Sequence, residues 1–112
     1  MSILTRLVAG ASLHHLNIGF DPSKNERNVR ERGFGFLAAA RIFLGHTLER
    51  DDLRRDYGER RIQAIGQADR FTYFVVYTWR ADADGPCRWI ISAHLASRKE
   101  RERYAAFFAD RP

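Results

Sequence analysis

FTYFVVYTW, residues 71–79, is the stretch that decides the fold of this 112-residue chain. It consists of β-branched and aromatic residues throughout, which are the residues most enriched in strands. Because charged residues do not interrupt it, we predict a central strand that is buried on both faces or nearly so. A turn at residues 83–86 (ADGP) then leads to CRWIISA, residues 87–93, which we predict to be the last strand.

The segments before and after these strands have the signals of helices. The dipeptide DP at residues 21–22 is typical of a helix start, and this helix is predicted to end at Gly33. Apolar residues at helical spacing predict a second, core-facing helix over residues 36–44. Ser97 and Glu100 have the spacing of a capping box, which predicts the start of a C-terminal helix.

The order of these segments predicts the fold class. Residues 47–58 are ambiguous between a short edge strand and a loop, and residues 61–65 alternate as in a strand. We therefore predict an α+β fold, with an antiparallel sheet of three to four strands, two N-terminal helices and one C-terminal helix, all on one side of the sheet. Residues 1–16 are expected to be an N-terminal extension, and residues 17–112 a single domain.

The charge of the chain indicates a polyanionic partner. It has 19 Lys and Arg against 14 Asp and Glu, a net charge of +5, and 17 of the cations are arginines. Such a balance favours nucleic acid over a membrane. An arginine-rich genome is an equally good explanation of the arginine bias, so charge alone does not decide.

Cysteine usage and hydropathy indicate a cytoplasmic protein. Cys87 is the single cysteine, which excludes an internal disulfide and suits a reducing compartment. No apolar run reaches the roughly 20 residues that a membrane-spanning helix needs. We therefore expect no membrane association.

The last strand contains the residues that could carry chemistry. Side chains alternate along a strand, so Arg88, Ile90, Ser92 and His94 are predicted to share one face. A cation, a hydroxyl and an imidazole in a row could hold a phosphate and move a proton, as RNA cleavage requires. His94 could be the base or the acid, because an imidazole titrates near neutral pH. The alternative is a half-exposed histidine at a strand end.

Four residues outside that row are further candidates. Arg61 and Arg80 could bind phosphates, and Glu59 could orient Arg61. The alternative for Glu59 and Arg61 is a surface ion pair. Tyr77 could stack on an RNA base, but the pattern favours a core aromatic residue over this role.

The helices contribute three cations. Arg98 and Arg101 begin the C-terminal helix, and Lys24 lies on the polar first helix. Each could contact RNA phosphates, although solvated helix faces more often carry such residues. The histidines at positions 14, 15 and 46 lack metal-ligand spacing, so we predict no metal and no cofactor.

Three blocks follow one another in an order and spacing that are familiar. They are residues 20–39 (FDPSKNERNVRERGFGFLAA), residues 59–80, which hold ERR and VVYTWR, and residues 90–104 (IISAHLASRKERERY). Together they resemble the BrnT family of type II toxin–antitoxin systems, small ribonuclease toxins with a RelE-like fold. Two positions depart from the family pattern, since Trp89 and His94 stand where the family often has arginine.

The resemblance implies a metal-independent endoribonuclease toxin that cleaves RNA and thereby arrests translation and growth. It also implies a cognate antitoxin with a ribbon–helix–helix DNA-binding part, the complex binding promoter DNA. The departures leave an alternative open, a non-catalytic module that binds nucleic acid or docks an antitoxin. The predicted site has catalytic residues His94, Arg61, Glu59 and Arg88, and RNA-binding residues Arg80, Ser92, Arg98, Arg101, Tyr77 and Lys24.

Overall fold

A single sheet organises the fold in the computed structural model, which describes residues 5–8 and 16–109. Its strands are β1 (Thr5–Val8), β2 (Ile18–Phe20), β3 (Thr47–Asp51), β4 (Ile62–Ala68), β5 (Phe71–Asp82) and β6 (Gly85–Leu95). Within the described residues the strand order is β1-β3-β4-β5-β6-β2. β2 runs parallel to β6, and the other neighbouring pairs are antiparallel.

The α+β class is confirmed, but the prediction of three to four strands is wrong. The two edge strands were not counted in the predicted sheet, because β1 and β2 have four and three residues, too few for a readable period. β1 lies within the predicted extension, residues 1–16, and pairs with β3. Residues 5–8 therefore add a strand to the sheet of the domain.

Helix α1 (Pro22–Arg32) begins and ends where the sequence predicts. The side chain of Asp21 accepts a hydrogen bond from the amide of Ser23 at 2.9 Å, which satisfies one of the free amides of the first turn. Gly33 ends the helix with a φ of 84°, a left-handed conformation that a Cβ would disfavour.

The prediction of one continuous helix over residues 36–44 is wrong. Helix α2 (Phe36–Ala40) is followed by a 3₁₀ turn (Arg41–Leu44), a common way for a helix to end. The tighter turn buries both Ile42 and Phe43, which are 0% and 2% exposed. The segment therefore faces the core as expected, although in a different conformation.

The central strands follow the prediction and are longer than it. β4 and β5 form a hairpin around Asp69 and Arg70, and Asp69 has a φ of 56°. Residues 73–78 of β5 are all buried, as expected for a strand covered on both faces. The core of the domain is built on this strand.

Helices lie on both faces of the sheet, so the prediction that they share one side is wrong. On one face, here called the core face, the sheet packs against α2 and the 3₁₀ turn through buried residues that include Ile62, Ala64, Tyr73, Val75 and Ile90. On the other, here called the α3 face, helix α3 (Arg98–Ala109) places Tyr104 against Ile65, Phe74 and Val76.

A β-bulge in β6 determines which residues lie on which face. Val76 pairs with Ser92 and the next residue, Tyr77, pairs with Ile90, so Ile91 has no partner of its own across the pair. An extra residue on one strand interrupts the alternation of side chains. The even-numbered residues of β6 therefore face one side of the sheet before Ile91 and the other side after it.

Candidate functional site

His94 lies on the α3 face at the point where α3 begins. It pairs with Phe74 across the strands, and its ring stacks on the Phe74 ring at 4.8 Å with 14° between the planes. Its Nε2 lies 3.2 Å from Oε1 of Glu100, and its side chain remains 36% exposed. The imidazole is thus held in one orientation and is still open to solvent.

Glu100 is fixed by the predicted capping box, which is confirmed in both directions. The amide of Ser97 donates to the Glu100 carboxylate at 2.7 Å, and the amide of Glu100 donates to the Ser97 hydroxyl at 3.2 Å. Burial opposes ionisation of Glu100, but the hydrogen bonds from Ser97 and His94 outweigh it and hold its pKa below the usual value. Near neutral pH a carboxylate therefore faces His94.

A row of polar residues crosses the α3 face beside His94. Arg50 pairs with Gln63, Gln63 with Val76, and Val76 with Ser92. These side chains therefore form one line across β3, β4, β5 and β6. Nε of Arg50 donates to the side-chain oxygen of Gln63 at 2.8 Å. The Gln63 amide is itself buried, and its nitrogen donates to Asp52 at 3.2 Å, so Arg50 and Ser92 are the polar groups of this row that remain partly exposed.

Arg103 is a second half-buried cation, on α3 next to the Tyr104 that packs against the sheet. Burial is the main cause that lowers the pKa of Arg103, and the nearby charge of Arg50 lowers it further. Both side chains are half-buried. The carboxylate of Glu100 acts on Arg103 in the opposite direction and raises its pKa.

Arg88 does not share a face with Ser92 and His94, so that prediction is wrong. Because of the bulge at Ile91, Arg88 pairs with Trp79 on the core face. Its guanidinium lies 4.5 Å from the Phe43 ring centroid and 4.7 Å from that of Trp79. Its Nε is buried and has no hydrogen-bond partner in the described part of the chain.

Tyr77 is a core residue, and the prediction that it stacks on an RNA base is wrong. It is 1% exposed, and its hydroxyl donates to Glu49 at 2.7 Å. The hydroxyl of Thr47 donates to the other oxygen of Glu49 at 2.7 Å. The buried Glu49 carboxylate is therefore satisfied by two hydroxyl groups.

Arg61 and Glu59 form an ion pair in the loop before β4. Nε of Arg61 donates to Glu59 at 3.0 Å, and the guanidinium lies 4.2 Å from the ring centroid of Tyr57. This geometry is compatible with both predicted readings, an oriented phosphate ligand and a surface pair. Arg61 precedes Ile65, which is in the row of His94, by four residues, or about 13 Å at the rise of a strand.

The remaining predicted RNA contacts are spread around the α3 face and its edges. Arg80 stacks on Trp89 at 4.4 Å near the far end of β5. Arg101 donates to the carbonyl of Ala96 at 2.8 Å, and Arg98 is exposed beside Glu102.

Lys24 and Ser92 line the same cavity. It has a volume of about 220 Å³ and lies between α1 and β6, and it is also lined by Arg27, Asn28, Glu31, Arg32, Phe36 and Ile91. The structure thus brings one residue of the polar row next to a basic helix, a juxtaposition that strand alternation does not reveal.

Two negative findings concern the described residues only. Residues 5–8 and 16–109 contain no group of three or more His, Cys, Asp or Glu that could hold a metal ion. Among the same residues, no helix is long and apolar enough to cross a membrane.

Arg50, Gln63 and Arg103 were not among the predicted site residues. Gln63 gave a signal, because it is the polar residue in the otherwise apolar stretch from Ile62 to Ile65. Arg50 lies in the segment that the sequence left ambiguous, and Arg103 is one of several cations on α3. Arg50 and Gln63 are brought together by the pairing of β3 with β4.

Comparison with known proteins gives this arrangement its context. A search of curated proteins found no significant match. A family model described as "Ribonuclease toxin, BrnT, of type II toxin-antitoxin system" matches residues 20–100, which include α1, the polar row and Glu100. The chain therefore belongs to the BrnT family of ribonuclease toxins of type II toxin–antitoxin systems.

Proposed function

We propose that this chain is a metal-independent endoribonuclease whose site lies on the α3 face of the sheet. Membership of the family supports a ribonuclease toxin. The observation that carries the assignment to this face is the 3.2 Å contact between His94 and Glu100 beside the polar row. An imidazole oriented by a carboxylate and open to solvent is a recurrent arrangement for proton transfer.

The proposed reaction uses the RNA as its own nucleophile. The 2′-oxygen attacks the phosphorus and the bond to the 5′-oxygen breaks, which leaves a 2′,3′-cyclic phosphate and a 5′-hydroxyl. His94 takes the proton from the 2′-hydroxyl, and water protonates the leaving oxygen. Glu100 positions His94, and Ser92, two residues before His94 on the same strand, stabilises the charge on the phosphate. Arg50 lies three strands away on β3 and contacts the RNA further along.

The other predicted residues take more distant roles in this proposal. Arg61, oriented by Glu59, and Arg80 contact phosphates further along the strand, since both lie away from His94. Arg98, Arg101 and Lys24 contribute to the basic surroundings that attract RNA. The positions of Arg88 and Tyr77 on the core face support structural roles for both, in place of the catalytic and RNA-binding roles first predicted.

The biological part of the proposal follows the family. A cognate antitoxin is expected to cover the basic α3 face with acidic side chains, and to carry a ribbon–helix–helix part through which the complex binds promoter DNA. In its absence the toxin acts in the cytoplasm and arrests translation and growth. Kinship with the RelE-like fold is part of the same proposal.

The test is a pH–rate series on a fixed RNA with the wild-type protein, His94→Ala and Glu100→Gln, in the presence of EDTA. We expect cleavage to survive EDTA, and His94→Ala to lose roughly 10²–10⁴-fold in rate. Glu100→Gln keeps an oxygen for the cap and should lose less. Arg41→Gln is a matched control, because Arg41 pairs with Asp69 outside this face.

A His94→Ala protein that cleaves at the wild-type rate would remove His94 from the mechanism. A wild-type protein that binds RNA and does not cut it would support the alternative, a non-catalytic binding module derived from a toxin. Growth of a bacterium that expresses the chain, with and without the neighbouring gene, separates toxicity from its relief by an antitoxin.

A further inference from the structure

Arg32, the last residue of α1, ties this helix to β6 beside the proposed site. One of its terminal nitrogens donates to the side-chain oxygen of Asn28 at 3.1 Å and to the carbonyl of Ala93 at 2.9 Å. Ala93 lies between Ser92 and His94 on the strand. The guanidinium is therefore fixed at the edge of the sheet, next to the two residues to which the cleavage reaction is assigned.

Asn28 makes the position of Arg32 rigid. It is 6% exposed, and its amide nitrogen donates to the carbonyl of Phe34 at 3.0 Å, so both ends of its side-chain amide are engaged. The two bonds of Arg32 use both N–H groups of one terminal nitrogen. Its Nε and its other terminal nitrogen have no hydrogen-bond partner within the described chain. These two nitrogens form an edge through which a guanidinium can bind two oxygens of one phosphate.

The cavity of about 220 Å³ between α1 and β6, which Arg32 lines, favours an anion. Lys24, about two helical turns earlier on α1, lines it too and forms no ion pair with any described residue. Ser92 adds a hydroxyl group from the strand. Glu31 is the acidic residue of this lining, and it pairs with Arg27 at 3.1 Å. The cavity therefore holds two cations whose charge no carboxylate of the lining offsets directly.

We propose that Arg32 binds the phosphate that is cut beside His94. Lys24 and Ser92 complete the phosphate site in this cavity. This inference rests on the proposed function and supplies a fixed positive charge close to His94, a role that Arg88 on the core face does not fill. A guanidinium that is already oriented stabilises the charge that develops on the phosphate without reorganising during the reaction. Arg32 transfers no proton.

The kinetic test measures kcat and KM against pH on ordinary RNA for the wild-type protein, Arg32→Gln and Arg32→Lys. We expect Arg32→Gln to lower kcat roughly 10²–10³-fold and to leave the shape of the pH profile unchanged, because the lost group does not titrate near neutral pH. Arg32→Lys keeps the charge without the fork and should recover part of the rate. Arg30→Gln is the matched control and should cleave as the wild type does, since Arg30 is an exposed cation of the same helix outside the cavity lining.

The binding test uses an RNA oligonucleotide with 2′-O-methyl riboses, which lacks the nucleophile and cannot be cut. We expect Arg32→Gln and Lys24→Gln each to bind roughly 10-fold more weakly. Each should also reduce the log–log salt slope by about 0.7. Ser92→Ala removes a neutral donor, so it should weaken binding roughly 3-fold at an unchanged slope. Arg30→Gln should keep both the affinity and the slope of the wild type.

Folding is controlled separately, because Arg32 also bonds within the chain. Circular dichroism and urea denaturation show whether Arg32→Gln is folded under the assay conditions. Lys24→Gln breaks no hydrogen bond or ion pair of the described chain, so its loss of affinity cannot come from a lost internal bond. If Arg32→Gln does not fold, Arg32→Lys and Lys24→Gln decide the question through the same affinity and salt slope.

The outcomes separate this inference from the proposed function. If the wild type cleaves RNA and a folded Arg32→Gln cleaves and binds equally well, the phosphate site is wrong while the ribonuclease proposal stands. Equal losses of affinity in Arg30→Gln and Arg32→Gln would indicate a diffuse basic surface and would also overturn the site. Weaker binding confined to the cavity variants, with no cleavage by the wild type, would support the phosphate site and overturn the catalytic proposal. A wild type that does not bind RNA would overturn both.

Discussion

On the core face, the buried carboxylate of Glu49 has both oxygens occupied, by Thr47 and Tyr77 at 2.7 Å each. On the α3 face, the Arg50 guanidinium donates to an amide, the side-chain oxygen of Gln63 at 2.8 Å. Both faces place polar groups among apolar neighbours. The core face satisfies the Glu49 carboxylate within the chain, although Nε of Arg88 on the same face has no hydrogen-bond partner among the described residues. On the α3 face the charge of Arg50 meets only a neutral amide, so the two faces treat their charged groups differently.

The sharpest way to break this comparison is to truncate the core face. Phe43 is 2% exposed and meets the Tyr77 ring edge-on at 5.2 Å. We expect Phe43→Ala to lower the free energy of unfolding by about 3–5 kcal/mol, measured by urea denaturation. Leu37→Ala, on an exposed residue of α2, should change it by less than about 0.5 kcal/mol. A larger effect on RNA affinity than on stability would contradict the division of the two faces.

Removal of one hydroxyl is the next test. Burial is the main cause that raises the pKa of Tyr77, followed by the charge of Glu49, so the phenol stays protonated and donates. Tyr77→Phe leaves a buried carboxylate one donor short and should cost about 1–3 kcal/mol of stability. RNA affinity of the folded protein should not change. Lost affinity at unchanged stability would return Tyr77 to the stacking role first predicted.

Ser97 links stability to the site, because its cap holds both α3 and Glu100. Ser97→Ala should cost about 1 kcal/mol in urea denaturation and also reduce the cleavage rate by loosening Glu100. Ser97→Asp retains an oxygen for the cap and is the matched control. Equal behaviour of the two variants would show that the capping box does not support the site.

The smallest expected effect is on stability at acidic pH. Hydrogen bonds from Arg54 are the main cause that lowers the pKa of Asp52 from 3.8 to about 2. Because the pKa of Asp52 is lower in the folded state than in the unfolded state, ionised Asp52 stabilises the fold at pH values above the unfolded-state pKa. This stabilisation is lost as the pH falls from about 4 towards 2. Asp52→Asn should therefore lose less stability than the wild type between these values, as followed by circular dichroism. An equal loss of stability in the two proteins would contradict this expectation.

Local signals were enough for much of the fold. The N-cap Asp21, the left-handed Gly33 and the Ser97–Glu100 box each act within a few residues, and all three are found where they were predicted. The edge strands were not counted in the predicted sheet, because β1 and β2 exist through pairing with distant strands rather than through their own pattern. Short strands carry too little sequence for their partners to be read from them.

The site was less predictable than the fold. His94 was recognised from its own chemistry, but its contact with Glu100 depends on the chain turning back after β6. Arg50 and Gln63 are 13 residues apart and belong to different strands, and no local pattern connects them. The face assigned to Arg88 failed for another reason, a single extra residue in a strand.

That extra residue, Ile91, acts as a change of phase. Up to Ile90, every second side chain of the strand points to the core face. From Ser92 onward, the side chains that would have continued this series point to the α3 face instead. Through this shift alone, the same alternate positions of one strand contribute side chains to both faces of the sheet, without any substitution. In this fold, the loss or gain of one residue would redistribute function as thoroughly as the replacement of several side chains.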